Sequence, residues 1–368
     1  MKQAVRNILN QAGVEINGKR PWDIQIKNEN FYPRILAGGS LALGESYMDG
    51  WWDCEAVDQF IYKILKSDLD KKVKGTKHLV WYAIKARLLN QQRKSKARVV
   101  GEVHYDVGNE LYKNMLDKRM IYSCGYWRDA NNLDEAQEAK LDLICKKLKL
   151  KPGMSVLDIG CGWGGLAKFM AERYQAKVTG ITISKRQAEL AKEICANHYI
   201  KILLEDYRDL KEKFDRVVSV GMFEHVGCKN YNTFMKTVDR CLENDGLFLL
   251  HTIGGNNSVY KCDPWFDKYI FPGGMLPSVK QIGKAIEGLF IMEDWHNFGT
   301  DYDKTLMAWF NNFNSAWPKL REKYGDKFYQ MWKYYLLSLA GGFRARNIQL
   351  WQIVFSKAGS QIEYKSVR

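Results

Sequence analysis

The spacing of hydrophobic positions changes character near residue 140. Beyond it, short β-rich apolar runs alternate with segments of helical period. Leu141–Leu148 repeats at helical spacing, and Met154–Ile159 is a compact apolar run of strand type. Helix is predicted again for Leu166–Tyr174 and Gln187–Ala196. Strands are predicted for Ala176–Ile183, Ile202–Leu204, Arg216–Val220 and Gly246–His251. This alternation predicts an α/β fold built on a doubly wound parallel sheet. Residues 1–76 read as a small, mainly helical domain. There Val5, Ile8 and Leu9 share a helical face, and Gly38-Gly39, Gly44 and Gly50 are expected to form turns. Beyond residue 255 the chain is rich in Trp, Tyr and Phe and reads as additions covering one end of the sheet.

Between these regions, residues 63–98 hold twelve Lys and Arg against two acidic residues, Asp68 and Asp70. They supply most of the net charge of +14. Leu79, Val80, Trp81, Ile84, Leu88 and Leu89 are interleaved with Lys85, Arg87 and Arg93. Two readings stand side by side: a basic amphipathic helix lying on an anionic membrane, or an interdomain helix with a solvated charged side. Overall the charge points to a polyanionic partner, nucleic acid or membrane. A hydrophobic content of 46% argues against wholesale disorder. Eight scattered cysteines without a C-x-x-C pair fit a reducing, cytosolic setting and suggest no metal site. The N-terminal residues lack a signal-peptide core, and no apolar run approaches the ~20 residues of a membrane span, so contact with lipid is expected from the water side.

The sharpest local motif is Asp158-Ile159-Gly160-Cys161-Gly162-Trp163-Gly164-Gly165, directly after the first strand of the alternating region. Such glycines let the backbone turn tightly and approach a ligand, and ligands of doubly wound sheets sit beyond the carboxyl ends of the strands. Nicotinamide enzymes use a similar loop. Here, however, an acid precedes the first glycine, and the second strand ends Thr179-Gly180-Ile181-Thr182 without the acid that holds a dinucleotide ribose. That pattern favours S-adenosylmethionine. Glu224, in Phe223-Glu224-His225-Val226-Gly227, and His251, ending the fifth strand, both fall at the same edge. Glu224 reads as functional; His251 reads equally well as functional or as a satisfied core histidine.

Taken together, several segments resemble the bacterial cyclopropane-fatty-acyl-phospholipid synthases. They are Gly44–Trp52, His104–Asn109, Tyr122-Ser123-Cys124, Val156–Gly165, Gly221–Gly227, His251–Gly254, Asp294–Asn297 and Phe343–Arg346. The resemblance spans nearly the whole chain, including an N-terminal domain that the related mycolic-acid enzymes lack. It implies a Rossmann-like S-adenosylmethionine methyltransferase domain at 99–368, a basic helical linker at 77–98 and the small domain at 1–76.

The reaction it implies is methylene addition across a cis double bond of a phospholipid acyl chain. A carbocation-like species would be deprotonated by a bound bicarbonate. The bicarbonate pocket implied by motif matching is Cys124, Glu224, His251, the backbone of Ile253, and Tyr302. A carboxylate beside such an anion must be protonated or offset, and a histidinium at His251 is one way to do so. The cofactor would meet Tyr122, Ser123 and the loop Asp158, Gly160, Cys161, Gly162, Trp163 and Gly164. Thr182 and Gln187 would take the ribose, and Asp206 and Tyr207 the adenine. The resemblance also implies a homodimer on the inner face of the cell membrane, cytoplasmic and peripheral, with anionic lipid rather than nucleic acid as partner. One departure stands out: relatives often carry Cys where this chain has Leu339, which removes a covalent cysteine mechanism through that position. The rival reading is a methyltransferase acting on nitrogen or oxygen of a lipid headgroup or small molecule.

Overall fold

The computed structural model describes residues 1–67, 108–196 and 199–368. The proposed linker at 77–98, most of the basic stretch and His104–Val107 of the resemblance lie outside the described residues. The chain forms two compact units. One gathers residues 1–67, Tyr260–Pro272 and Tyr302–Ile348; the other gathers the described residues of 108–259, Gly273–Asp301 and Gln349–Arg368.

The first unit is mainly helical. Helix Lys2–Gln11 buries Val5 and Leu9, the face expected from their spacing. A short antiparallel pair, β1 (Gln25–Ile26) with β2 (Trp52–Asp53), flanks helix Phe31–Met48. That helix is kinked at Gly39, whose φ is +55°. Gly44 is not a turn residue, contrary to expectation. It lies within the same helix, where a β-carbon would run into the indole of Trp265. Its missing side chain serves close packing rather than a bend. Around it Tyr47, Trp52, Trp265 and Tyr334 form an aromatic core, with Tyr47–Trp52 at 4.9 Å and Trp265–Tyr334 at 4.7 Å between ring centroids. Helix Asp326–Arg344 ends in Arg344, which makes a bidentate bridge to Asp303 at 2.8 Å and reaches Asp58 at 2.6 Å.

The second unit is built on a seven-stranded sheet of order β5-β4-β3-β6-β7-β9-β8. Its strands are β3 (Ser155–Ile159), β4 (Lys177–Thr182), β5 (Ile200–Leu204), β6 (Phe214–Val220), β7 (Leu242–Gly255), β8 (Phe290–Asn297) and β9 (Ile348–Lys357). β3 to β7 are the five strands predicted from the sequence, and β5-β4-β3-β6-β7 pair in parallel. Parallel strands are covered on both faces, so their runs are nearly all apolar, as at Leu247–Leu250, all fully buried. β8 and β9 pair antiparallel and were not predicted. The region after 255 therefore extends the sheet itself as well as adding helices. In β8 the charged Asp294 is buried against Lys147 at 3.2 Å and Arg368 at 2.6 Å. A buried carboxylate kept by two cations breaks the apolar pattern that marks a strand. The eight cysteines are all free, and no helix among the described residues is long and apolar enough to cross a membrane.

Candidate active site

The parallel strands bring their carboxyl ends to one edge. β3 ends in the glycine loop, where Gly160, Gly162 and Gly164 all take positive φ, at +85°, +55° and +83°. A β-carbon on Gly160 would come within 2.8 Å of Met222, and one on Gly164 within 2.6 Å of Cys195 Sγ; Gly162 faces open space. The loop leads into helix Gly165–Tyr174, whose N-terminal N–H groups face the same edge. Cys161 is buried, and Trp163 packs on Tyr112 at 4.9 Å while its Nε1 donates to Asn109 Oδ1. Tyr112 in turn meets Tyr122 edge-on at 5.1 Å.

Asp158, one residue before the end of β3, is buried and leaves its Oδ2 without a partner. Burial pushes its carboxyl up to about 7, against the pull of the nearby Lys140 cation. Lys140 is itself fully enclosed. Its Nζ donates to Ser123 Oγ at 2.9 Å, and burial brings its ammonium down to about 8. Gln137 Nε2 donates to Ser123 O at 2.7 Å. Thr182, ending β4, donates its hydroxyl to Gln187 Oε1 at 2.9 Å, both residues being buried. After β5, the Asp206 carboxylate is engaged bidentately by Arg208, and Tyr207 packs into the core against Phe234 at 5.2 Å. The two residues expected at the adenine thus follow β5, one held by a guanidinium and the other by core packing.

Glu224 lies four residues beyond β6. Its Oε1 accepts the Ile253 backbone N–H at 2.7 Å, and its backbone carbonyl accepts the Met275 N–H at 2.8 Å. Oε2 is buried without a partner, and burial pushes the carboxyl up to about 7. His251 does not end its strand, since β7 continues to Gly255. It pairs with Val220, the last residue of β6, and so stays level with the site edge. Its Nδ1 lies 3.3 Å from Gln352 Nε2, while Nε2 is buried and unpartnered. Burial, with the cations of Lys140 and Lys147, holds His251 well below the usual imidazole range. The histidinium expected at His251 is therefore disfavoured: a charge there would be desolvated and repelled by two ammonium groups. Of the two expected ways to offset an anion there, burial favours the other, protonation of Glu224. Cys124 is fully buried, its thiol 3.1 Å from Gly125 O.

These residues, from Tyr122 to His251 and Ile253, all belong to the second unit. Tyr302 belongs to the first, near the start of helix Thr300–Tyr324, where its ring stacks on Phe343 at 4.5 Å. Sequence reasoning missed Gln137, Lys140 and Gln352. Gln137 and Lys140 occupy the stripe of helix Leu133–Lys147 that also carries Leu133, Leu141 and Ile144. Polar residues inside an apolar stripe were the available signal.

The unpartnered buried atoms, with the Ser123 hydroxyl that accepts from Lys140, test what the site can hold. Asp158 Oδ2 and the Ser123 hydroxyl suit a group bearing both an amine and a carboxylate, as the amino-acid end of S-adenosylmethionine does. Glu224 Oε2 and His251 Nε2 suit a small anion or a polar reacting group.

Comparison with known proteins agrees with this geometry. The family described as mycolic acid cyclopropane synthetase matches residues 91–353. The chain is 55% identical over 350 residues to the cyclopropane-fatty-acyl-phospholipid synthase of Escherichia coli K12, covering 95% of this chain and 92% of that protein. A cyclopropane synthase from Mycobacterium tuberculosis superposes with a TM-score of 0.67 at 30% identity, over 71% of this chain and 98% of its own. A mycolic acid cyclopropane synthase solved with SAH and CTAB gives 0.66 at 32% identity, over 71% and 98%. The match extends across the glycine loop, the Glu224 turn and His251, and the chain belongs to the mycolic acid cyclopropane synthetase family of methyltransferase-fold enzymes.

Proposed function

We propose that the chain is a cyclopropane-fatty-acyl-phospholipid synthase, transferring a methylene group from S-adenosylmethionine to a cis double bond of a phospholipid acyl chain. The observation that carries this reading is the 55% identity over 95% of the chain to an enzyme of that name. Identity at that level reaches well beyond the 91–353 shared with the wider family.

Bound S-adenosylmethionine supplies an electrophilic methyl group. In this chain the loop Asp158–Gly164 and Ser123 hold its amino-acid end, Thr182 and Gln187 serve the ribose, and the Asp206–Tyr207 turn serves the adenine. A bound bicarbonate would supply the base for the proton that must leave before the ring closes. Within the second unit, Cys124, Glu224, His251 and the Ile253 backbone form its pocket. Glu224, whose carboxyl burial raises to about 7, would in its protonated form donate from Oε2 to that anion, while Ile253 N–H fixes Oε1. A neutral His251 suits this arrangement, because it adds no competing charge to a buried site. The aromatic residues around the loop exclude the water that would quench a cationic species.

The net charge of +14 supports work at an anionic lipid surface, peripheral and on the cytoplasmic side. A homodimer rests on the family resemblance alone.

The test is to incubate purified protein with S-adenosylmethionine and vesicles of a cis-unsaturated phospholipid and to weigh the acyl chains. A gain of about one CH₂ with loss of the double bond supports ring formation. Methyl found on the headgroup with unaltered chains would leave a headgroup methyltransferase instead.

A further inference from the structure

We propose that Lys140 is a positioning residue for the cofactor, turning Ser123 into an obligate hydrogen-bond donor toward the carboxylate of S-adenosylmethionine. The inference rests on the reading that S-adenosylmethionine binds at the glycine loop.

Helix Leu133–Lys147 presents Gln137 and Lys140 three residues apart, on one side. Both are essentially unexposed, at 0% and 1%. Together they grip one residue: Gln137 Nε2 donates to the Ser123 carbonyl at 2.7 Å, and Lys140 Nζ donates to its hydroxyl oxygen at 2.9 Å. An ammonium has donors only, so the serine oxygen must accept. Its own proton is then left to be given elsewhere.

Ser123 Oγ is also the one side-chain hydrogen-bond partner of Lys140 among the described residues. A buried ammonium with a single neutral partner is costly to desolvate, and what compensates it is a nearby anion. Asp117 acts on Lys140 most strongly, followed by Cys124 and Asp158, and Asp158 is the one of these at the glycine loop. Asp158, for its part, keeps Oδ2 unpartnered. The pair therefore complements a zwitterion. A carboxylate meets the Ser123 O–H and the Lys140 charge, and an amine meets Asp158. Lys140 makes its side-chain hydrogen bond to Ser123, so the contact it supports directly is the one to the carboxylate half of the ligand.

The experiment is calorimetric titration of the full chain with two probes, S-adenosylmethionine and its decarboxylated analogue, for wild type and Lys140→Met. Wild type should bind S-adenosylmethionine at least about tenfold more tightly than the decarboxylated probe. Lys140→Met should weaken S-adenosylmethionine by about tenfold or more and change the decarboxylated probe by less than about twofold. Equal weakening of both probes, or no weakening of either, overturns the proposal. Should Lys140→Met fail to fold, Ser123→Ala carries the same comparison. Selective loss of the carboxylate-bearing probe supports the proposal, and equal loss or none overturns it. Failure of wild type to bind either probe would instead remove the cofactor reading itself.

Discussion

The backbone N–H of Ile253 donates to Glu224 Oε1 at 2.7 Å, tying the turn after β6 to the neighbouring strand β7. One carboxyl oxygen is thereby fixed while the other, buried and unpartnered, is left to act. Glu224→Ala removes both the acceptor of the Ile253 N–H and the group that donates from Oε2. Turnover is expected to fall by about a hundredfold or more, with the Kd for S-adenosylmethionine changed less than about threefold. Parallel turnover assays and calorimetry check this; a variant with full turnover would exclude Glu224 from the chemistry.

The same carboxyl gives a stability signature. Burial raises its pKa from the ordinary 4.5 to about 7, so between those values the folded chain holds a proton that the unfolded chain has released. Stability from this group is complete below the unfolded value and is lost as pH rises through about 7. Wild type should therefore lose stability relative to Glu224→Gln between about pH 4.5 and about pH 7, by roughly 3 kcal/mol at most, and the difference should level off above. Denaturant unfolding of both proteins across that range measures it, and a flat difference would contradict the raised value.

His251 should stay neutral down to mildly acid pH, because burial and the Lys140 and Lys147 cations all disfavour its charge. The Gln352 amide, donating to Nδ1, leaves the ring proton on Nε2. Nitrogen NMR of labelled histidine should show that tautomer, unchanged between about pH 6 and about pH 8. Titration with a midpoint near the ordinary 6.5 would contradict it.

Gly160→Ala should be worse than Gly162→Ala, although both glycines have positive φ. The left-handed conformation costs each alanine about 1 kcal/mol, and only at Gly160 does the new methyl also press on Met222. Thermal unfolding of the two variants, with cofactor titration, separates the effects. Equal Tm losses would mean the contact with Met222 relaxes freely.

The five parallel strands were legible because buried strands carry nearly unbroken apolar runs, and the glycine loop because its backbone geometry demands glycine. β8 was not legible: Glu293 and Asp294 interrupt it, and their partners Ser356, Lys147 and Arg368 are distant in sequence. Gly44 misled because a glycine required for contact with Trp265 looks the same in sequence as one required for a turn. In the candidate site, Asp158 and Glu224 were singled out from their positions at strand ends, and His251 from an expected strand end that the observed β7 passes, running on to Gly255. Lys140 was not, since a lysine on a helix is ordinarily a surface residue, and only its place in an apolar stripe sets it apart.

The central claim is ring formation by methyl transfer followed by loss of a proton from that same methyl. Supplying S-adenosylmethionine with a trideuterated methyl group, and weighing the product acyl chains, tests it most directly. Two of the three deuteriums should remain on each modified chain, and the double bond should be gone. Chains that keep all three deuteriums would mean that a methyl group is transferred intact, and the account of a cyclopropane-forming site would be wrong.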